Sequence, residues 1–360
     1  MKNVIAFLLA LAPCISYAQA DSLPNIFVIT TDGFRWQELF EGADSSLLAN
    51  TVLVKDTGQL KQLFWNSDPA KRRSLLMPFT WRVLAAKGSL YGNRKQNSKV
   101  SVANPYNISY AGYNEIFTGY ADPAVKANRK KFNSNQNVLD FLNDFPEYKG
   151  KIAAFTSWNL FEYIFNGPRT NIYLNSGYEQ VKQDSLTATE QMLNGVQEYL
   201  VAEKQPTRND MLTFVAAKEY IQARHPRVMY IGFGETDEAA HHGDYDEYLQ
   251  SAHMFDEYLA QLWYLVNNDP FYKGRTSFII TTDHGRGKKT GTWSKHGMFT
   301  AGSSETWLMT IGPNNRALGE VRGGIELFNE QLAQTIAEAL GKKFVPAYGA
   351  AEPVYSITKQ

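Results

Sequence analysis

Short, nearly continuous apolar runs alternate along the chain with longer stretches in which apolar residues return every three or four positions. The runs are Asn25 to Thr31, Lys151 to Thr156, Val228 to Phe233, Ser277 to Thr282 and Thr306 to Ile311. Each is apolar on both faces of an extended chain, as a strand buried in a parallel sheet must be. The clearest helix is Asp246 to Asn267, where Leu249, Ala252, Phe255, Leu259, Leu262 and Val266 form one stripe. Similar patterns run over Asn209 to Arg224 and over Glu326 to Leu340, the latter stopped by Gly341. This alternation predicts an α/β fold: a largely parallel central sheet with helices on both faces. The segment at about 158–206 breaks the rhythm. It is rich in aromatics, Asn and Gly, with one helix near Leu186 to Leu200, and reads as an inserted cap in a catalytic domain spanning 21–360. There is no internal repeat or low-complexity tract.

Met1 to Ala20 has Lys2, a short apolar stretch and the small-residue ending Ala18-Gln19-Ala20. That is the layout of a cleaved secretory signal, and it predicts a secreted or periplasmic protein. The apolar part is too short to span a bilayer. A lipoprotein reading centred on Cys14 is weaker, because Pro13 stands where a small residue is usual. Cys14 is the only cysteine and would leave with the signal, so a metal site in the mature chain must be built from His, Asp and Glu. Thirty-six basic residues balance thirty-six acidic ones, which gives no support for nucleic-acid or membrane-surface binding. The basic run Lys126 to Lys131 sits in a polar stretch and reads as a solvated loop.

Three predicted strands run into acidic residues: the first into Asp32, the Val228 strand into Glu235 and Asp237, and the Ser277 strand into Asp283-His284. In open α/β sheets ligands bind outside the carboxyl ends of strands, so these side chains should gather on one rim. One such Asp is usually a helix cap. Three, two of them with a His within four residues, are hard to explain as capping. Of the six histidines, His241 lies four residues after Asp237, His284 adjoins Asp283, and His296 follows in a Gly-rich loop. Imidazole and carboxylate without thiolate suit zinc or a similar divalent ion, and the ligand count allows two ions. His225 and His253 fall on helices and read as structural, and His242 as a supporting neighbour. Ser109 precedes a predicted short helix, Tyr110 to Phe117, that ends at Thr118-Gly119. There its hydroxyl would meet free backbone N–H groups, as a nucleophile or as an ordinary cap.

The ordered set resembles the alkaline phosphatase superfamily, especially its nucleotide pyrophosphatase/phosphodiesterase branch. The motifs are Asp32 after the first strand, Ser109 nine residues before Thr118-Gly119, Asp237-x-x-x-His241, Asp283-His284-Gly285 and His296-Gly297. The resemblance implies one metal on Asp237, His241 and His296, and another on Asp32, Asp283 and His284 beside the nucleophile Ser109. It also implies displacement at phosphorus through a phosphoseryl intermediate. The expected protein is thus an exported two-metal, most simply two-zinc, phosphodiesterase or phosphomonoesterase acting on a small-molecule, glycan or lipid ester.

Departures bear on the substrate. The family's Phe-Pro-Asn-His run is replaced by Tyr110-Ala111-Gly112-Tyr113, leaving Asn114 as the candidate for holding a phosphate oxygen. Arg169 and Arg286 are candidates for gripping phosphate, though each reads better as a surface residue. A sulfatase would need Pro and Arg shortly after Ser109, and neither is there. Transfer of the phosphoryl group to an envelope component and a non-catalytic, metal-stabilised binding protein are the remaining alternatives. Trp158, Tyr163 and Phe165 read either as a stacking wall for substrate or as the core of the cap.

Overall fold

The apolar runs fold as the middle of an eight-stranded sheet. In this computed structural model, residues 23–200, 206–313, 315–349 and 351–355 are described. The signal-like segment 1–20, with Cys14, lies outside them. The strands in chain order are β1 (Asn25–Thr31), β2 (Gly88–Tyr91), β3 (Ser98–Ser101), β4 (Ile152–Thr156), β5 (Tyr173–Ser176), β6 (Val228–Phe233), β7 (Thr276–Thr281), β8 (Glu305–Thr306), β9 (Leu308–Ile311), β10 (Gly319–Glu320) and β11 (Ile325–Phe328). The large sheet has the order β10-β2-β9-β7-β1-β6-β4-β5, and β11-β3-β8 form a small second sheet. At its centre β1 lies between β6 and β7, parallel to both, with Ile29 opposite Ile231 and Ile280.

Alternation along β1 explains why the run has no polar face. Phe27 and Ile29 enter one apolar layer with Leu249, Phe255 and Leu259 of the helix Tyr245–Asn268. Ile26 and Val28 enter the opposite layer with Ile116 and Phe117 of the helix Ser109–Thr118. Each such side chain, fully buried, contributes roughly 1.5–3 kcal/mol. The layers are what sandwich the sheet and present its strand ends to solvent along one rim. No helix among the described residues is long and apolar enough to cross a membrane.

Three elements differ from the sequence expectation. The run Thr306 to Ile311 is divided at Trp307 between β8 and β9, and β9 is antiparallel to β7 and to β2. Residues 282–304 return the chain from the rim without a crossover helix, so the next strand must run back the other way. The expected helix Glu326 to Leu340 begins instead as β11, paired with β3, passes through a 3-10 turn at Asn329–Gln331, and is helical over Leu332–Ala339. The expected cap supplies β5, which extends the main sheet by pairing parallel with β4. The helix that follows, Ala188–Tyr199, starts in a Thr187/Glu190 capping box.

Candidate metal centre and active-site cleft

The strand ends deliver their acidic residues to one place. Asp32 leaves β1 in a turn held by Thr236, whose hydroxyl contacts Thr31 Oγ1 at 2.7 Å and the Asp32 carbonyl at 2.5 Å. Gly33 follows with φ +57°; a Cβ there would stand 2.6 Å from Asp237 Oδ1 and 2.7 Å from Arg286 Nη1, so only glycine fits. Its N–H donates to Asp283 Oδ1 at 3.0 Å, tying the β1 and β7 ends together. Asp237 and His241 share one face of the helix Glu235–His241, as four-residue spacing requires.

Two donor sets result. Asp32, Asp283 and His284 form one, Asp237, His241 and His296 the other, and within each set the ligand atoms lie within 4.8 Å of one another. In the first, His284 Nε2 is 3.4 Å from Asp32 Oδ1 and 3.4 Å from Asp283 Oδ2. In the second, His241 Nε2 is 3.0 Å from Asp237 Oδ2 and 3.1 Å from His296 Nε2. The rings of His284 and His296 stack with centroids 4.0 Å apart, so the two sets adjoin.

The imidazoles are set for coordination. His284 Nδ1 faces the Gly285 carbonyl at 3.0 Å and His296 Nδ1 faces the Asn107 carbonyl at 3.0 Å. A carbonyl only accepts, so each Nδ1 carries the proton and each Nε2 turns a lone pair toward the cluster. Burial keeps both rings neutral, lowering His284 to about 4 and His296 to about 3. The carboxylates are strained by the same burial. Asp283 is raised to about 7, first by burial and then by Asp237; Asp32 is raised well above the usual range by burial and then by Asp283 and Asp237. Burial would raise Asp237 too, but Arg286 and then His241 hold it well below that range. Asp283 Oδ2 is buried without a hydrogen-bond partner. Lone pairs and carboxylates converging around an orphaned buried acceptor are a donor set that fits divalent cations.

Ser109 opens the helix Ser109–Thr118, with Ile108 in the cap position and no side-chain cap bond. Its hydroxyl is therefore not an ordinary cap. Its Oγ lies 3.4 Å from Asp32 Oδ1 and 3.3 Å from His284 Nε2, and Tyr113 steadies the far Asp32 oxygen with a 3.2 Å bond from its hydroxyl. Ser109, Asp32, Asp237 and His241 line one cleft with Asn128 and Trp158.

The alkaline phosphatase PafA covers 94% of this chain and 100% of its own with a TM-score of 0.64, at 10% identity. The family model of the metalloenzyme superfamily matches residues 169–302, a span holding Asp237, His241, Asp283, His284 and His296. Over those residues the chain is similar to the metalloenzyme superfamily, and its fold as a whole is like that of the alkaline phosphatase. Other structures of similar fold are a phosphonate monoester hydrolase of Agrobacterium radiobacter (TM-score 0.54, 13% identity, 92% of this chain, 76% of that one) and a 2-O GAG sulfatase (0.56, 13%, 92% and 73%). No curated protein matches by sequence. The match to a metalloenzyme family points to divalent metal ions, and the two donor sets are where they would sit.

Asn114 and Arg286 stand elsewhere than expected, while Arg169, His225 and His253 lie away from the cluster as the sequence suggested. Asn114 is turned away from the cleft: its Oδ1 accepts from Asn133 and Asn135 and its Nδ2 donates to the Tyr120 carbonyl, which ties the side chain into a buried network. Arg286 is buried rather than superficial, pairing with Asp237 and donating to the Trp293 and Ser294 carbonyls. Arg169 is exposed, as is His242 at the end of its helix. His225 pairs with Asp269 and His253 with the Leu76 carbonyl, both away from the cluster. Phe165 is core and Tyr163 stacks on Phe132, so of the three aromatics only Trp158 reaches the cleft.

Glu115 and Asn104 went unread in the sequence. Glu115 accepts from Ala103 N at 2.7 Å, Asn104 N at 3.0 Å and Asn104 Nδ2 at 2.8 Å. Asn104 Oδ1 in turn accepts from Asn107 N at 2.9 Å, and Asn107 presents the carbonyl that orients His296. No local pattern marks such a chain of contacts.

Proposed function

We propose that the protein is an exported, zinc-dependent phosphate ester hydrolase that works through a covalent phosphoserine on Ser109. The observation that carries this is the position of Ser109 Oγ, within 3.4 Å of two candidate ligand atoms of one donor set and in the same cleft as the other. One set would be Asp32, Asp283 and His284, the other Asp237, His241 and His296. When bound, the metals supply Lewis-acid stabilisation of charge on the serine and phosphate oxygens.

The protein's own groups do the rest. Ser109 loses its proton, its Oγ bonds to phosphorus as the ester P–O bond breaks, and the alcohol leaves taking a proton. Water then hydrolyses the phosphoserine, restoring the hydroxyl. Two displacements give net retention at phosphorus. Asn128 takes the part expected of Asn114: its Oδ1 accepts from Tyr110 N at 2.9 Å, and its Nδ2 has no partner among the described residues and can donate to a phosphate oxygen. Arg286 holds Asp237 ionised and in place rather than gripping substrate.

A sulfatase is disfavoured because Ser109 lacks the following Pro and Arg and because three histidines are softer ligands than calcium prefers. Export rests on the Met1 to Ala20 pattern, and N-terminal sequencing of the mature protein tests it. The chemistry is tested by hydrolysis of p-nitrophenyl phosphate and bis-p-nitrophenyl phosphate after chelation and after zinc is restored. Zinc-dependent turnover that Ser109→Ala abolishes is expected, and the ratio of the two rates assigns monoester or diester preference. Equal turnover with and without metal would contradict the proposal.

A further inference from the structure

In a chain without net charge, a run of one sign is either matched by acidic neighbours or left open. Lys126, Arg129, Lys130 and Lys131 are all exposed, and none makes an ion pair among the described residues. The loop that carries them is nevertheless fastened to the helix of Ser109. Asn128 Oδ1 accepts from Tyr110 N at 2.9 Å, and the Lys131 carbonyl accepts from the Tyr110 hydroxyl at 2.6 Å. Tyr110 directly follows Ser109, so these bonds fix the loop to the first turn beside the proposed nucleophile. Lys131 N also donates to the Arg129 carbonyl at 2.8 Å, tightening the loop itself.

The loop stands at the cleft mouth. Asn128 lines the cleft with Ser109 and Asp32, while Lys126, Arg129 and Lys131 line the adjoining hollow with Tyr110. One carboxylate, Asp122, shares that hollow, and it is already engaged: Oδ1 accepts from Ala124 N at 2.8 Å and Oδ2 from Asn135 Nδ2 at 2.8 Å. Three cations against one occupied carboxylate leave the hollow positive. Holding unpaired like charges together costs free energy unless an anion visits them.

We infer that this rim is a subsite for a second anionic group, and that the substrates are phosphate esters whose body carries a further phosphate or sulfate. The inference rests on the phosphate ester reading of the cleft. Exposed cations act weakly one by one and are screened by salt, so three together should favour a doubly anionic substrate on the order of tenfold at low ionic strength.

The test compares KM for glucose 6-phosphate and glucose 1,6-bisphosphate, in wild type and in Lys126→Ala/Arg129→Ala/Lys131→Ala, at low and high salt. Wild type should prefer the bisphosphate on the order of tenfold, beyond the statistical gain of a second cleavable group. That preference should fade with salt and in the triple variant, with turnover of p-nitrophenyl phosphate unchanged. Lys130→Ala, outside the hollow, should keep most of it. Calorimetric binding of tripolyphosphate against orthophosphate gives a reading independent of turnover, and a sulfated sugar phosphate separates sulfate from phosphate at the rim. An unchanged preference in the triple variant, in KM or in binding, overturns the inference. Absence of any hydrolysis by wild type, with the binding preference present, would instead count against the proposed activity.

Discussion

Gly112 lies within the helix of Ser109, where glycine is about 1 kcal/mol worse than alanine. What requires it is a close approach. A Cβ at Gly112 would lie 2.3 Å from the Asp283 carbonyl oxygen, 2.9 Å from its carbonyl carbon and 3.0 Å from its Cβ. Contact between such atoms normally begins at about 3.4 Å, so Gly112→Ala must push the helix back roughly 1 Å. The obstacle is the backbone of the β7 turn, which cannot rotate aside. The displacement falls directly between Ser109 and His284, now 3.3 Å apart at Oγ and Nε2. A misplacement of about 1 Å costs on the order of a hundredfold in rate. Overpacking costs about 1–3 kcal/mol, partly offset by the helix propensity of alanine. Gly195, in the helix Ala188–Tyr199, is the control, since nothing lies within 4 Å of a Cβ built there. Gly195→Ala should stabilise by up to about 1 kcal/mol and leave activity alone. Urea denaturation and kcat/KM for p-nitrophenyl phosphate would be measured on both variants. If Gly112→Ala were as stable as Gly195→Ala with full activity, the packing of this helix against Asp283 would be refuted.

Two further outcomes follow from buried charge. Arg286→Gln leaves Asp237 without its guanidinium and should cost about 3–5 kcal/mol in the chelated protein, read by urea denaturation. The same variant should bind zinc more weakly in a chelator competition, because Asp237 would no longer be held in place. Asp256 is buried on the helix Tyr245–Asn268 and accepts from Phe79 N, Thr80 N and Thr80 Oγ1; burial raises it to about 6. A carboxyl raised on folding binds more protons folded than unfolded, so its stabilisation is full below about pH 4 and is lost as pH rises through about 6. The stability gap between wild type and Asp256→Asn should therefore shrink by on the order of 3 kcal/mol from pH 4 to pH 7, and a gap constant with pH would contradict the assignment.

How much of this was legible in the sequence follows from the range of each determinant. β1, β4, β6 and β7 were readable because buried parallel strands must be apolar on both faces. Asp32 and Asp283-His284 were readable because they follow their strands closely and inherit their positions from the sheet, while Asp237 and His241 were readable from their four-residue spacing on the short helix after β6. β5, β10 and β11 were not, since edge strands with mixed burial carry no such run. IELF at the start of β11 continues the helical spacing of Leu332–Ala339, and only pairing with β3 makes it a strand. Arg286 and Asn114 were misplaced for one reason: whether a polar side chain reaches solvent depends on partners distant in sequence. Arg286 finds Asp237 forty-nine residues away, and Asn114 finds Asn133 nineteen away. The basic loop was read as solvated, which its exposure supports, while its fastening to Tyr110 could be seen only in three dimensions.

Covalent attack by Ser109 is tested most directly by quenching the zinc-loaded enzyme in acid during turnover of p-nitrophenyl phosphate and mapping its peptides by mass spectrometry. Phosphate on the Ser109 peptide of wild type, and on no peptide of Ser109→Ala, is the predicted result. Undiminished turnover by Ser109→Ala, with no phosphate on that peptide in wild type, would contradict it.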